Sequence, residues 1–313
     1  MSTLPSFTIR DLMDVGAHFG HRTMRWNAKM QPYIYGTANN VHIIDLQKTA
    51  PMLHAAMKVA QETASKNGRI LFVATKRQAS QIIAEAAERC GQYYVNHRWM
   101  GGTLTNWETV SKSIKTLNTM EAKLADPEIS LSKKERLTIQ RKIDKLTQAL
   151  GGIRKMGGKP DLVFVIDTNR EKIAILEAKK LNVPVVAIVD TNCNPDNIDH
   201  IVPGNDDSIK SIRLFSNLMA DAVIAGISKS VGNRGKVQAQ DKGDEEEEVV
   251  VSKKPNNNKP AKKEVKVETK NSKITTEAKS EAQPQAKKAT PKKEEAKAEP
   301  KKAEAKKAPL KKK

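Results

Sequence analysis

The sequence contains few cysteines and few aromatic residues. Two cysteines, Cys90 and Cys193, occur among 313 residues, and 4% of the residues are Phe, Trp or Tyr. Two cysteines cannot build a disulfide framework, so we expect an intracellular chain with reduced thiols. Cys90 lies in a helical pattern and is expected in the core, whereas Cys193 lies in a predicted loop and could be a reactive thiol.

Long apolar stretches and acidic residues are also scarce. No run of about 18 apolar residues occurs, and the N-terminus lacks the charged start, apolar run and cleavage site of a signal peptide, so we expect no membrane partner. Lys and Arg number 55 against 36 Asp and Glu, which gives a net charge of +19. About half of this excess precedes Gly232 and half follows it. Such a balance predicts an anionic partner, with nucleic acid as the first candidate.

Glycine-rich phosphate loops are missing from the places where an α/β enzyme would carry them. The apolar runs 41–46 and 69–76 are followed by Gln47 and Arg77, with no glycine pattern. The segment closest to a P-loop, residues 151–160, precedes a predicted strand, whereas a P-loop needs strand–loop–helix order. Nucleophile sets of Ser/His/Asp or Cys/His also lack a local signature. We therefore expect no catalysis and no small-molecule substrate.

Short apolar runs alternate with segments of helical spacing along most of the chain. The runs typical of strands are residues 41–46, 69–76, 92–99, 160–167 and 183–191. Helical spacing fills most of the gaps between them, and a long helix at residues 208–230 closes the pattern. Such alternation predicts an α/β fold with a Rossmann-like parallel sheet flanked by helices.

One inserted stretch, residues 106–150, has no strand signal. Apolar residues recur there at helical spacing on both sides of a proline. This pattern predicts an antiparallel two-helix hairpin, a coiled coil with a narrow apolar seam. It would project from a discontinuous α/β body formed by residues 1–105 and 151–232, with the glycine pairs 101–102 and 151–152 as hinges.

The C-terminal segment, residues 233–313, contains no aromatic residue and is dominated by Lys, Ala, Glu and Pro. Such a composition buries too little apolar area to offset chain entropy, so we expect a disordered basic tail. The tail could be a weak polyelectrolyte arm for RNA, or a solubilising segment without a specific partner, and both interpretations stay open.

Basic and aromatic residues are interleaved in several short stretches of the body. This combination is typical of RNA-binding surfaces, because cations neutralise phosphates and flat side chains stack on unpaired bases. The residues predicted to bind RNA are Arg22, Arg25, Trp26, Lys29, Lys76, Arg77, His97, Arg98, Trp99, Asn106, Arg154, Lys155 and Lys159. The basic residues are not expected in the core, since an unpaired buried charge is costly. The tryptophans could instead be core or domain-interface residues.

Two features could belong to a metal site. His18 and His21 are three residues apart, but Gly20 lies between them and no third ligand is near in sequence. A later acidic loop could hold a structural Mg²⁺ through Asp190 and Asp206. Its carboxylates could equally cap turns and the following helix, which is the interpretation we favour. We therefore expect no cofactor.

Several stretches of the sequence are long and distinctive. They read VGAHFGHRTMRWNAKMQPYIYG, HIIDLQKT, NHRWMGGTLTNW, GGIRKMGGKPDLVFVID, PVVAIVDTNCNPD and IDHIVPGNDDSIKSI. Together, over about residues 4–230, they resemble the bacterial members of the second family of small-subunit ribosomal proteins. The C-terminal segment departs from the resemblance, because it is longer and richer in lysine than the family core needs.

The resemblance implies a Rossmann-like domain with a projecting two-helix coiled coil and a structural, non-enzymatic role in the bacterial small (30S) subunit. It further implies binding to 16S rRNA near the head–body junction, on the solvent side, and contacts with neighbouring ribosomal proteins. Among these is the large mRNA-binding protein of repeated OB-folds, which such a protein helps to recruit. The implied location is the cytoplasm, on the ribosome.

Two functions from other classes remain as alternatives. One is an enzyme that acts on a nucleotide or phosphate ester, with the acidic loop as its Mg²⁺ site. The other is a protein-interaction hub that uses the helical hairpin alone. Nucleotide turnover would favour the first, whereas cosedimentation with small subunits would favour the ribosomal function.

Overall fold

The computed structural model describes residues 4–126 and 131–248, and the side chains up to residue 231. The strands of this part are β1 Phe19–Arg22, β2 Ile34–Ala38, β3 Val41–Ile44, β4 Ile70–Val73, β5 Tyr93–Val95, β6 Leu162–Ile166, β7 Val185–Val189 and β8 His200–Pro203. The α-helices are α1 Ile9–Asp14, α2 Leu46–Ser65, α3 Arg77–Arg89, α4 Trp107–Ala125, α5 Lys133–Leu150, α6 Lys172–Lys180 and α7 Ile209–Glu248. Short 3₁₀ turns occupy Thr23–Arg25, Ala28–Tyr33 and Gly151–Ile153.

A five-stranded parallel sheet forms the centre of the fold. Its strand order is β5-β4-β6-β7-β8, and all four neighbouring pairs are parallel. The strands β4, β6 and β7 are buried at every position, as their unbroken apolar sequences predict for strands covered on both faces. The predicted α/β fold with a Rossmann-like parallel sheet is confirmed.

Alternate residues of the central strands enter two separate cores. Phe72 and Phe164 point to the side covered by α2, α3 and α7, where their rings meet edge to face at 5.4 Å. Leu71 and Val163 point to the opposite side, which is covered by α6 and by the ends of α4 and α5 nearest the sheet. The sheet is therefore rigidly enclosed, and its loops are held at fixed positions.

A second, antiparallel sheet of three strands lies in the N-terminal region, in the order β1-β3-β2. The apolar run 41–46 was expected to alternate with the parallel strands, but β3 belongs to this separate sheet. The turn between β2 and β3 is formed by Asn39 and Asn40, with φ angles of 51° and 61°. Asparagine tolerates this left-handed conformation, which tight hairpins require. The strand β8 was also not predicted, because it lies inside the acidic loop.

The inserted stretch forms α4 and α5, which pack against each other. Their inner faces bury Val110, Ile114 and Leu117 on α4 and Ile143 and Leu150 on α5. The connecting residues 127–130 lie outside the described residues, and the coiled-coil interpretation stays a prediction. Near the base, a Cβ at Gly152 would come within 2.2 Å of the Tyr94 carbonyl oxygen, so close packing requires glycine here, and the hinge function stays a prediction.

The last helix, α7, packs on α2 and α3 and runs on to Glu248. It extends past the predicted helix end at residue 230 and into the stretch where the sequence predicts the tail. The rest of that tail, residues 249–313, lies outside the described residues. Within the described residues, the helices lack the combination of length and apolar character that crossing a bilayer would require.

Candidate nucleic-acid interface

The segment after β1 presents three basic side chains at the surface. Arg22 ends β1, and Arg25 and Lys29 lie in the 3₁₀ turns that follow. Among the described residues, Arg22 and Arg25 are exposed and have no ion-pair partner. Lys29 pairs with Asp196, and this hydrogen bond lowers the pKa of the Asp196 carboxyl. Arg22 and Arg25 are therefore the free cations of this segment, whereas the charge of Lys29 is partly neutralised.

The same segment is fixed tightly to the end of β7. A Cβ at Gly20 would lie 2.6 Å from the Thr191 side chain, so only glycine permits this approach. The His21 amide donates to the Thr191 hydroxyl at 2.9 Å, and the Asn27 amide donates to the Thr191 carbonyl at 2.8 Å. These contacts hold the segment in one position on the body.

Trp26 stands over β3 with one side of its ring against His42. The two ring centroids are 5.3 Å apart, and 41% of Trp26 is exposed. His42 is buried beneath it, and neither of its ring nitrogens has a hydrogen-bond partner. The exposed part of the Trp26 ring is a flat surface of the kind on which unpaired bases stack, and the RNA contact of this residue stays a prediction.

The loop that follows β5 is organised by a single carboxylate, that of Glu177 on α6. Glu177 accepts hydrogen bonds from the Trp99 indole at 3.1 Å, from the amides of Gly102 at 2.7 Å and Leu104 at 2.9 Å, and from the amide and hydroxyl of Thr105. Burial acts to raise the pKa of Glu177, but these hydrogen bonds outweigh it and hold the pKa below its usual value.

Trp99, which the sequence predicts as an RNA-binding residue, is buried. It is only 7% exposed and packs in the core, so its ring cannot stack on a base. Its neighbours His97 and Arg98 are exposed, as predicted. Asn106, also exposed, precedes α4 and accepts a hydrogen bond from the Thr109 hydroxyl at 3.0 Å. The loop therefore offers Arg98 and Asn106 to a partner, with the Trp99–Glu177 contact as its internal anchor.

Lys76, which the sequence also predicts as an RNA-binding residue, is buried, with 7% of its surface exposed. Its ammonium lies 2.8 Å from a carboxylate oxygen of Asp206, contacts Asp207 and lies 3.8 Å from Asp167. Burial is the largest single effect and acts to lower the pKa of Lys76, but the hydrogen bonds and charges of Asp206 and Asp207 together outweigh it, so the pKa is raised. The expectation that basic residues stay out of the core was wrong here, since the charge is buried together with carboxylates. Its neighbour Arg77 is exposed at the start of α3.

The acidic loop forms the other half of this network. His21 Nδ1 lies 2.9 Å from Asp190, and His21 Nε2 lies 3.2 Å from Asp207. The hydrogen bond to Asp190 raises the pKa of His21. Burial, reinforced by the charges of Asp190 and Asp167, raises the pKa of Asp206 to about 7. The loop is therefore an internal network of ion pairs that ties β1 to the ends of the parallel strands.

The predicted metal candidates Asp190 and Asp206 do come together. Asp190, Asp206 and His21 form one group, and the atoms through which they could bind a metal lie within 4.8 Å of one another. His18 is not in that group, so the predicted histidine pair does not converge among the described residues. Lys76 already places its ammonium against Asp206, and this supplies positive charge where a cation would bind.

The crevice between β4 and β6, where many α/β proteins bind ligands, is filled by side chains of this chain. Glu171 accepts a hydrogen bond from the Thr75 amide at 2.9 Å, which takes up a donor that could otherwise cradle a phosphate. Lys76 occupies the adjacent space. Cys193 is buried beside the network, and burial raises the pKa of its thiol to about 12, so it is not a reactive thiolate as the sequence allowed. Cys90 is buried in the core, as predicted.

Comparison with known sequences decides the family. The sequence model of the family described as "Ribosomal protein S2" matches residues 12–226. The chain belongs to this family. Proteins named "Small ribosomal subunit protein uS2" are close relatives: that of Mesorhizobium japonicum is 57% identical over 232 residues, which cover 74% of this chain and 89% of the relative. Those of Bartonella henselae and Rhizobium meliloti are each 56% identical, over 74% of this chain and 90% and 91% of the relatives.

Membership of the ribosomal protein S2 family confirms the resemblance found in the sequence. Members of the family are structural components of the small ribosomal subunit and are not enzymes, which confirms the prediction of a non-enzymatic chain. The enzyme alternative is therefore set aside.

The remaining basic candidates of this S2 family member divide into paired and free side chains. Arg154 is half-buried and pairs with Glu121 of α4 at 2.7 Å. Lys155 and Lys159 are exposed, and within the described part of the chain neither has an ion-pair partner. Arg154 and Lys155 line a shallow cleft beside β5.

Two exposed residues of the S2 N-terminal segment were missed by the sequence reasoning. Met24 is 94% exposed and Tyr35 is 79% exposed, both far above what a packing role allows. The alternation of β2, with Ile34 partly buried and Tyr35 outward, is a signal that could have identified the tyrosine. Met24 has no such signal, since it lies in a 3₁₀ turn.

Proposed function

We propose that this chain is a structural, 16S rRNA-binding component of the bacterial small ribosomal subunit, located on ribosomes in the cytoplasm, where it supports subunit assembly and translation. The observation that carries this proposal is the set of exposed cations without ion pairs on a rigid body. Within the described residues they include Arg22, Arg25, Arg77, Arg98, Lys155 and Lys159. The names of the relatives, small ribosomal subunit proteins, support it.

The mechanism is positional. Each arginine or lysine that neutralises a phosphate releases counterions. The logarithm of the binding constant therefore falls as the logarithm of the salt concentration rises, with a slope of about 0.7–0.9 for each contact. Since the segment of Arg22 and Arg25 is fixed to Thr191, and the loop of Arg98 is fixed to Glu177, the cations meet the RNA in a preset arrangement. Little conformational entropy is then lost on binding. Trp26 supplies an aromatic face for an unpaired base.

Sucrose-gradient cosedimentation tests the proposal. The charge-reversed chain carrying Arg22→Glu, Arg25→Glu and Arg98→Glu should lose incorporation into small subunits, because repulsion replaces three phosphate contacts. The wild-type chain should sediment with small subunits and dissociate as salt is raised. Unchanged incorporation of the charge-reversed chain would contradict the proposal.

A matched control carries the same change in net charge at exposed lysines outside the predicted set: Lys58→Glu, Lys66→Glu and Lys210→Glu. This control should retain most of the incorporation. Equal losses in both variants would indicate a general effect of net charge and not a defined interface.

The helices α4 and α5 are proposed to contact neighbouring ribosomal proteins and to help recruit the mRNA-binding protein of repeated OB-folds. Most side chains of α5 are exposed, and Leu137 is 52% exposed, so this helix has surface available for a partner. Deleting residues 109–148 should reduce the amount of the OB-fold protein on purified subunits. If its amount stays unchanged, the proposed recruitment through α4 and α5 is wrong.

No cofactor is part of the proposed function. A structural Mg²⁺ at Asp190 and Asp206 would compete with the ammonium of Lys76 for the same oxygens. A rise in melting temperature with millimolar Mg²⁺, abolished by Asp190→Asn, would show that such an ion binds.

A further inference from the structure

A cleft of about 660 Å³ lies beside β1, between the N-terminal sheet and the start of α7. Its lining includes Gly20 and His21, the cations Arg22 and Arg25, the apolar side chains Met24 and Val41, and the carboxylate of Asp207. The volume falls within the range of about 300–1,000 Å³ that is typical of small-ligand sites. The family comparison and the predicted RNA-binding residues assign nothing to Met24, Val41 or Asp207.

The lining of the cleft carries charges of both signs. Arg22 and Arg25 are exposed and, among the described residues, have no ion-pair partner, so they attract an anion. Met24 and Val41 are the apolar side chains of the same lining. A methionine that is 94% exposed contributes almost nothing to the core, but its flexible thioether is well suited to contact a flat ring.

Asp207 retains unused acceptor capacity in the cleft. It is 53% exposed, one of its oxygens faces His21 Nε2 at 3.2 Å, and the other faces the Lys76 ammonium. An ionised carboxylate offers about four acceptor positions, so further positions remain for a donor in the cleft. The same carboxylate repels a phosphate, so an anionic group of a ligand is favoured beside Arg22 and Arg25.

We propose that this cleft receives one unpaired nucleotide of a folded RNA. The phosphate binds Arg22 and Arg25, the base lies on Met24 and Val41, and an exocyclic amino group donates to Asp207. This rests on the proposed function, that the chain binds RNA, and adds the chemistry of one site. Because Asp207 accepts and does not donate, it favours adenine, cytosine and guanine, which carry an exocyclic amino group, over uracil, whose only base donor is its imide N3–H.

Binding of the full-length protein to three short RNA hairpins tests the proposal. The hairpins are identical except for one bulged adenine, one bulged uracil, or no bulge. Wild type should bind the adenine bulge about tenfold more tightly than the fully paired hairpin, in line with the contribution of a single base contact. The uracil bulge should fall between the two.

Variants then separate the apolar and polar contacts. Met24→Ala should reduce the affinity for the adenine bulge to near that for the paired hairpin, since it removes the surface under the base. The matched control Met13→Ala, a 54% exposed methionine on α1 outside the cleft lining, should change nothing. Asp207→Asn should narrow the difference in affinity between the adenine and uracil bulges, because its carboxamide can donate to a uracil carbonyl as well as accept from an adenine amino group.

Equal binding of bulged and paired hairpins, binding of neither, or an unchanged Met24→Ala variant would each overturn the cleft proposal. Saturable binding of free adenosine monophosphate that Met24→Ala removes would also overturn it, since the occupant would be a mononucleotide and not RNA. The broader function is judged separately, by the cosedimentation of wild type with small subunits. A chain that cosediments but does not distinguish the hairpins refutes only the cleft.

Discussion

Replacing Lys76 with methionine should lower the free energy of unfolding by about 3–5 kcal/mol, the usual cost of removing one member of a buried ion pair. Methionine matches the length of the lysine stem, so packing is nearly preserved and the charge is the main change. The ammonium lies 2.8 Å from Asp206, which is itself 1% exposed. Without Lys76, Asp206 keeps its burial and the nearby charges of Asp190 and Asp167, which already raise its pKa to about 7.

Guanidinium denaturation followed by circular dichroism measures this loss as a lower midpoint at unchanged slope. The control Lys155→Met removes an exposed lysine that has no ion-pair partner among the described residues, and it should change stability by less than about 0.5 kcal/mol. Asp206→Asn should cost less than Lys76→Met, because carboxylates outnumber cations in the network. If Lys76→Met and Lys155→Met are equally stable, the buried ammonium does not hold the network together.

The remaining predictions concern pH and the Glu177 loop. Folding raises the pKa values of Asp206, from 3.8 to about 7, and of His21. Their stabilising contributions are therefore present at low pH and lost as pH rises through the folded values. The free energy of unfolding should fall between about pH 4 and pH 7 as Asp206 titrates, and above about pH 6.5 as His21 titrates, by at most about 1.4 kcal/mol per pH unit and titrating group. A flat profile in denaturant titrations would count against the network. Glu177→Ala should cost about 2–4 kcal/mol, since it leaves several buried donors without an acceptor, and should speed amide exchange at Gly102 and Leu104. Glu177→Gln keeps one acceptor oxygen, so its stability and its amide exchange should lie between those of wild type and Glu177→Ala. Equal amide exchange in wild type and Glu177→Ala would show that the carboxylate does not order the loop.

Local sequence patterns were sufficient for the parallel sheet. The runs that became β4, β6 and β7 are apolar at every position, and such runs have few alternatives to a strand enclosed on both faces. The strand β8 was missed because it has four residues and lies between polar segments. Its identity depends on pairing with β7, which no local pattern encodes.

The candidate site was predicted in part, and its errors share one cause. Lys76 is buried because Asp206 lies beside it, and Trp99 is buried with Glu177 beside it, yet each pair is far apart in sequence. Composition identifies which side chains can carry charge or stack. Whether a given side chain is exposed or paired depends on tertiary partners, so Arg22 and Lys76 could not be told apart from the sequence.

The carboxylates at the strand ends of this α/β sheet belong to the network around Lys76. In this network they can support a binding surface, because they hold neighbouring side chains in place. In an enzyme such carboxylates could hold a metal ion or orient a substrate. Here Asp190 and Asp207 hold the imidazole of His21, and His21 immediately precedes Arg22. The buried charges therefore fix the position of an exposed one. Since His21 and Asp206 both lose protons as pH rises, the same titration that lowers stability should also loosen the placement of Arg22, and affinity for RNA should fall with it at constant salt.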